Sequence, residues 1–218
     1  PFTMSSRKMA EIISKTAFAA STKETRLVLM GVNMKAEDGK ITVTATDSYR
    51  LARMIVAADC EPFNITVPSR ALFSAKSIFT EGSVSIAVSA RKIQFRSENT
   101  VLQSNLLEGA FPEIDRLIPA EFTRTLIINR QALMTAIDRT SFIKTDNMTV
   151  IRLQVENKDD VMISTRSQEI GESHEGLTAD SFTGEALDIS FSGTYVNDAA
   201  RALSAENIAL LFTGEMRP

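Results

Sequence analysis

Ser5-Ser6-Arg7-Lys8-Met9-Ala10-Glu11-Ile12-Ile13-Ser14-Lys15-Thr16-Ala17-Phe18 returns 124 residues later as Asn129-Arg130-Gln131-Ala132-Leu133-Met134-Thr135-Ala136-Ile137-Asp138-Arg139-Thr140-Ser141-Phe142. Met9, Ile12, Ile13, Thr16 and Phe18 are matched by Leu133, Ala136, Ile137, Thr140 and Phe142. Spacings of three and four place these residues on one helical stripe, and Ser5 and Asn129 are good N-cap types, so each stretch predicts a capped amphipathic helix. The same offset holds far downstream. Ile65, Val67, Leu72, Ala75, Phe79, Val84, Ile86 and Val88 recur as Ile189, Phe191, Val196, Ala199, Leu203, Ile208, Leu210 and Phe212. One offset at both ends of the unit means two copies of one domain.

Within the first copy, Ile41, Val43 and Ala45 alternate with Thr42 and Thr44, the period of a strand with one buried face, and Val84, Ile86 and Val88 do the same. Glu37-Asp38-Gly39 and Glu98-Asn99 are turn signals, and Ser69 to Phe79 predicts a second helix after a strand ending at Pro68. The expected fold is α+β: tandem copies, each with two helices packed on antiparallel sheets. Phe111 to Thr125, with Pro112 and Pro119, connects them, giving expected domains 1–121 and 122–218. The second copy reads as incomplete, because Lys92 through Asn105 has no counterpart, and with no Met at its start the sequence reads as a piece of a longer one. The expected consequence is a less stable second unit with an exposed sheet edge.

The 218 residues are 44% hydrophobic and 23% charged, ordinary globular material with no apolar run of bilayer length and no leader pattern. The expectation is a cytoplasmic protein without membrane association. Cys60, the single cysteine, sits between Asp59 and Glu61, which discourages a thiolate. A net charge of -3 argues against holding nucleic acid by bulk phosphate neutralisation. His174, in Glu172-Ser173-His174-Glu175, has no metal-ligand spacing and is expected in a solvated loop. Glu37-Asp38-Gly39 lacks the ligand spacing of a calcium loop, and there is neither a phosphate-cradling glycine motif nor a Gly-flanked nucleophilic serine. No catalytic, metal or cofactor site is therefore expected.

Thr46-Asp47-Ser48-Tyr49-Arg50-Leu51-Ala52 stands apart. One reading is a tight turn with Asp47 bonding the local backbone. The other is a peptide-binding groove, since Tyr49 and Leu51 set apolar surface beside Arg50.

Together with Phe18-Ala19-Ala20-Ser21, Arg26-Leu27-Val28-Leu29-Met30-Gly31-Val32, Gly109-Ala110-Phe111-Pro112-Glu113, Arg116-Leu117-Ile118-Pro119 and the ending Phe212-Thr213-Gly214-Glu215-Met216-Arg217-Pro218, this segment closely resembles the bacterial DNA polymerase III β subunit family, the sliding clamps. The resemblance spans the chain. It implies a middle domain followed by an incomplete third domain, from a subunit of three similar domains that closes as a head-to-tail homodimeric ring when full length. It further implies a processivity factor without catalysis, whose partners are duplex DNA, the DNA polymerase III catalytic subunit, the clamp loader and other proteins bearing a Gln-x-x-Leu-Phe type motif. Carried over by motif, the peptide pocket would comprise Leu29, Thr46, Ser48, Tyr49, Arg50, Leu51 and Pro119. Ser48-Tyr49 stands where many members carry Gly-His. DNA-facing candidates are Arg7, Lys8, Lys15, Arg70, Lys76, Arg130, Arg139 and Arg201, on the predicted helices and their repeats. Two rival readings stay open: a repeat module that recognises proteins without DNA, and an enzyme whose site lies outside this sequence.

Overall fold

The two helices predicted with caps form where those caps stand, and the helix predicted from Ser69 forms after Pro68 without a side-chain cap. In the computed structural model, which describes residues 1–141, 149–167 and 171–214, the first copy contains β1 (Phe2–Ser5), α1 (Ser6–Thr16), β2 (Gly31–Glu37), β3 (Lys40–Thr46), β4 (Leu51–Ala57), β5 (Phe63–Pro68), α2 (Ser69–Ile78), β6 (Ser83–Val88), β7 (Lys92–Ser97) and β8 (Thr100–Asn105). The second contains β9 (Arg124–Asn129), α3 (Arg130–Thr140), β10 (Val150–Asn157), β11 (Asp160–Ser167), β12 (Gly171–Leu177), β13 (Ser181–Thr183), β14 (Leu187–Ser192), α4 (Gly193–Ala202) and β15 (Asn207–Phe212). Ser5 accepts from the Lys8 amide at 3.2 Å and Asn129 from the Ala132 amide at 2.9 Å, each satisfying a free first-turn donor. Helices α1 and α2 and strands β5 and β6 recur with identical bounds 124 residues on, as α3, α4, β14 and β15. The middle strands β3 and β4 begin again only 120 residues on, as β11 and β12, and β13 is inserted before the offset returns to 124.

Each copy builds two antiparallel sheets. In the first they are ordered β4-β3-β2-β5 and β1-β6-β7-β8; in the second, β12-β11-β10-β14 and β13-β9-β15. Among the described residues β15 pairs with β9 alone, and the β7–β8 hairpin has no counterpart. Helix α1 buries Met9, Ile12, Ile13 and Thr16, and α3 buries Leu133, Ala136, Ile137 and Thr140, the stripes expected from spacing; Phe142 lies outside the described residues. The first core gathers Val32, Ile41, Val43, Val84, Ile86, Ile93 and Phe95 around α1 and α2, and the second gathers Ile128, Ile151, Leu153, Val161 and Ile163 around α3.

The repeat breaks in one place. Helix α2 buries Leu72 and Ala75, but their counterparts on α4 do not do the same work: Val196 is half-buried and Ala199 exposed, while Gly193, Asn197 and Ala200 are buried. Gly193 permits this packing, because a Cβ there would stand 3.1 Å from Ile151 Cγ2 and 3.4 Å from Ile137 Cγ2. At the following turn, Phe79 is buried whereas Leu203 is 45% exposed. A sequence offset thus conserves hydrophobic character but not which helix residues are buried among those described.

The chain separates into compact units Pro1–Pro112 and Glu113–Pro218. The expected boundary after residue 121 falls within the segment between Glu113 and the start of β9. No helix of the described residues is long and apolar enough to cross a membrane.

Candidate functional site

The turn joining β3 to β4 is built on two short polar side chains. Strand register places Leu51 opposite Thr46, so four residues must reverse the chain. Asp47 Oδ1 accepts from the amides of Tyr49 and Arg50, both at 3.0 Å, and Asp47 Oδ2 accepts from Arg50 Nε at 3.1 Å. Thr46 Oγ1 donates to the Arg50 carbonyl at 2.6 Å and accepts from the Ser48 amide at 3.1 Å. This is the Asx-type turn expected from the sequence. Ser48 adopts φ +80, a left-handed conformation in which glycine carries no Cβ penalty.

Arg50 connects this turn to a second segment. Its Nη2 donates to the Phe18 carbonyl at 3.0 Å, and the guanidinium lies 5.5 Å over the Phe18 ring, a cation–π distance. The 3-10 turn holding Phe18 runs into Ser21, whose amide donates to the Leu29 carbonyl at 2.8 Å. Three segments, residues 17–21, 26–30 and 46–51, are thus fastened together by named bonds. The candidates differ in what they offer a partner. Leu29 is only 2% exposed and underlies the site as packing, whereas Tyr49 is 79% exposed and Leu51 half-buried. Pro119 is half-buried and belongs to the second unit.

The eight candidate cations fall into two groups. Glu11 holds two at once: its Oε2 lies 2.9 Å from Lys8 Nζ and its Oε1 2.6 Å from Lys15 Nζ. Arg139 faces Glu175 at 3.4 Å and Arg201 faces Asp138 at 3.7 Å. Arg130 is a strut, donating to the carbonyls of Ala205 at 2.9 Å and Ala200 at 3.5 Å. Arg7, Arg70 and Lys76 are exposed and have no ion-pair partner among the described residues. The hydrogen bond from Lys15, then that from Lys8, pulls the Glu11 carboxyl from its ordinary 4.5 down to about 2. With the folded value depressed, the pair's contribution is present above the unfolded value and is lost as pH falls through about 2. Glu11 is 35% exposed, so that contribution stays below about 1 kcal/mol.

Sequence reasoning missed a cleft of about 780 Å³ on the first unit, lined by Asn33, Asn64, Thr66, Arg91, Lys92 and Glu108 among others. Its signal was Asn33 within an apolar strand, yet the amide is already satisfied: Asn33 Nδ2 donates to Asn64 Oδ1 at 2.9 Å and to the Ile65 carbonyl at 3.1 Å. The loop expected at His174 is instead strand β12, since residues 171–177 pair in unbroken register with β11. His174 Nε2 is exposed and lies 3.3 Å from Glu172 Oε2.

Burial, reinforced by Asp59, pushes the half-buried Cys60 thiol above its ordinary value. The thiolate fraction at neutral pH is therefore below that of a free cysteine. Cys60 is expected to react with iodoacetamide at pH 7 several-fold more slowly than glutathione does, with Asp59→Asn narrowing the gap. Equal rates would contradict it.

Two family descriptions match in tandem: "DNA polymerase III beta subunit, central domain" over residues 3–113 and "DNA polymerase III beta subunit, C-terminal domain" over residues 115–218. A Beta sliding clamp from Bacillus subtilis is 35% identical, the match covering 96% of this chain and 57% of that protein. One from Streptococcus pneumoniae is 36% identical over 100% of this chain and 59% of its own length. Among solved structures, the DNA polymerase sliding clamp from Bacillus subtilis matches with a TM-score of 0.95 at 34% identity, covering 99% of this chain and 58% of that one. The chain thus spans less than two thirds of the length of these relatives.

Proposed function

This chain belongs to the DNA polymerase III beta subunit family, and on that premise we propose that it serves as part of a sliding clamp, a cytoplasmic, non-enzymatic processivity factor. In this reading the complete protein closes as a head-to-tail homodimer around duplex DNA. It tethers the replicative polymerase, the clamp loader and repair proteins by their short linear motifs. Residues 1–121 act as the middle domain and 122–218 as the C-terminal one. The observation that carries the proposal is the turn at residues 46–51, where Asp47 and Arg50 hold Tyr49 outward at 79% exposure with half-buried Leu51 beside it. A rigid polar frame presenting apolar side chains suits a peptide anchor, because little ordering remains to be done on binding.

A Gln-x-x-Leu-Phe peptide is expected to bind here, and Leu51→Ala should weaken it by about 1–3 kcal/mol. Titration of a labelled peptide into both proteins measures this. Equal affinities would move the pocket elsewhere. Leu29→Ala is a poorer probe, since that buried side chain acts through stability.

A second reading, peptide recognition without DNA, draws on the net charge of -3 and on the five candidate cations already engaged by the protein's own groups. Retention of the complete protein on circular but not linear duplex DNA separates the two. A protein that binds peptide yet is never retained on circles supports the second.

A further inference from the structure

We propose that Glu11 is a built-in competitor for DNA phosphate on α1, holding Lys8 and Lys15 so that these two lysines grip duplex DNA only weakly and exchangeably. The inference rests on the clamp reading above, in which α1 faces the duplex. Lys8, Glu11 and Lys15 follow at steps of three and four and so form one line along the helix. Both carboxylate oxygens are engaged, one by each ammonium, at 2.9 Å and 2.6 Å. The line therefore presents one net positive charge, not two. All three side chains remain solvent-accessible, Lys8 at 43%, Glu11 at 35% and Lys15 at 25%, so an incoming phosphate can reach either ammonium.

A phosphate that takes one of these lysines must displace an anion already in place. Such an exchange of one anion for another gains far less than the neutralisation of an unpaired cation. Contacts of this kind re-form readily at the next phosphate, which suits a protein that must move along DNA without reading it. With its carboxyl held down at about 2, Glu11 stays charged throughout the working pH range, so acidification does not remove the competitor. The device belongs to one copy only. On α3 the positions of Lys8 and Glu11 are occupied by Ala132 and Thr135. Arg7 on α1 and Arg70 and Lys76 on α2 have no carboxylate partner among the described residues and supply the uncompensated contacts.

The test is binding of a fluorescent linear duplex to the 218-residue chain across a salt series, with circular dichroism confirming an unchanged fold. Glu11→Gln is expected to raise affinity roughly three- to tenfold at low salt and to steepen the log K against log salt slope by about one. Lys8→Ala combined with Lys15→Ala should abolish the gain in the Glu11→Gln background and, alone, weaken binding, because it leaves Glu11 unopposed on the helix. Arg70→Ala should weaken binding whatever stands at position 11. If Glu11→Gln changes neither affinity nor slope while Arg70→Ala weakens binding, the competitor role is wrong and the DNA reading stands. If no charge variant alters duplex binding, both fail.

Discussion

Asp47→Ala is expected to destabilise the first unit by about 3 kcal/mol and to reduce peptide affinity at least tenfold. The carboxylate accepts three hydrogen bonds, two from backbone amides and one from Arg50 Nε, and its side chain is only 15% exposed. Removing it leaves those donors short of a partner, and hydrogen bonds to charged groups are each worth about 1.5–3 kcal/mol. Neighbouring bonds are not additive, so the total stays near the figure given. The affinity loss follows because this turn, together with the Arg50 bond to the Phe18 carbonyl, positions Tyr49 and Leu51. Asp47→Asn separates the contributions. It keeps an oxygen for the two amides but gives up the ion pair, and should cost about 1 kcal/mol while retaining most of the peptide affinity. Urea unfolding with peptide titration measures both, and a normal melt for Asp47→Ala would show that the turn is held by strand pairing alone.

Phe95→Ala should be more damaging to stability, by about 3–5 kcal/mol. Phe95 is 1% exposed, lies opposite Ile86 on β6 and Leu102 on β8, and meets the Phe79 ring at 6.4 Å between centroids. Truncation leaves a void bordered by a helix end and three strands, with little freedom to collapse. Hydrogen exchange by segment should show protection falling through β6, β7 and β8, with β10 and β11 unaffected. Loss spread evenly over both units would contradict the division at residue 112.

The repeat was legible in the sequence because burial stripes on α1 and α3 and alternation in β6 are properties of single elements, set by their own period, whereas β3, expected to bury one face, buries Thr44 as well. The turn at residues 46–51 was legible for the same local reason: Asp47 bonds amides two and three positions away. What sequence missed is long-range. The bond from Arg50 to the Phe18 carbonyl spans 32 positions, and no periodicity announces it. Likewise, a lysine on a helix face looks like a free cation until its neighbours are placed. Glu11 three and four positions from Lys8 and Lys15 was on view as spacing, whereas the partners of Arg130 and Arg139 come from Ala205 and Glu175, far along the chain. His174 was misjudged because polar residues on an edge strand look, in composition, like a loop.

The different buried residues of α2 and α4 bear on how two copies of one strand ladder stay distinct. Phe2 pairs with Ile86, and Leu126 pairs with Leu210, the same register shifted by 124. Backbone ladders do not recognise side chains, so by register alone β6 and β15 are nearly equivalent mates for β1. Tandem repeats are prone to such cross-copy misassembly. Hydrogen bonding does not discriminate here, but packing does: Val84 and Ile86 of β6 share a core with Leu72 and Ala75 of α2, whereas Ile208 of β15 shares one with Ala200 of α4. A strand traded between copies would sit on the wrong helical face, leaving voids on one side and clashes on the other. The divergence of the second helices thus makes two pairings that are equal in backbone register unequal in side-chain packing.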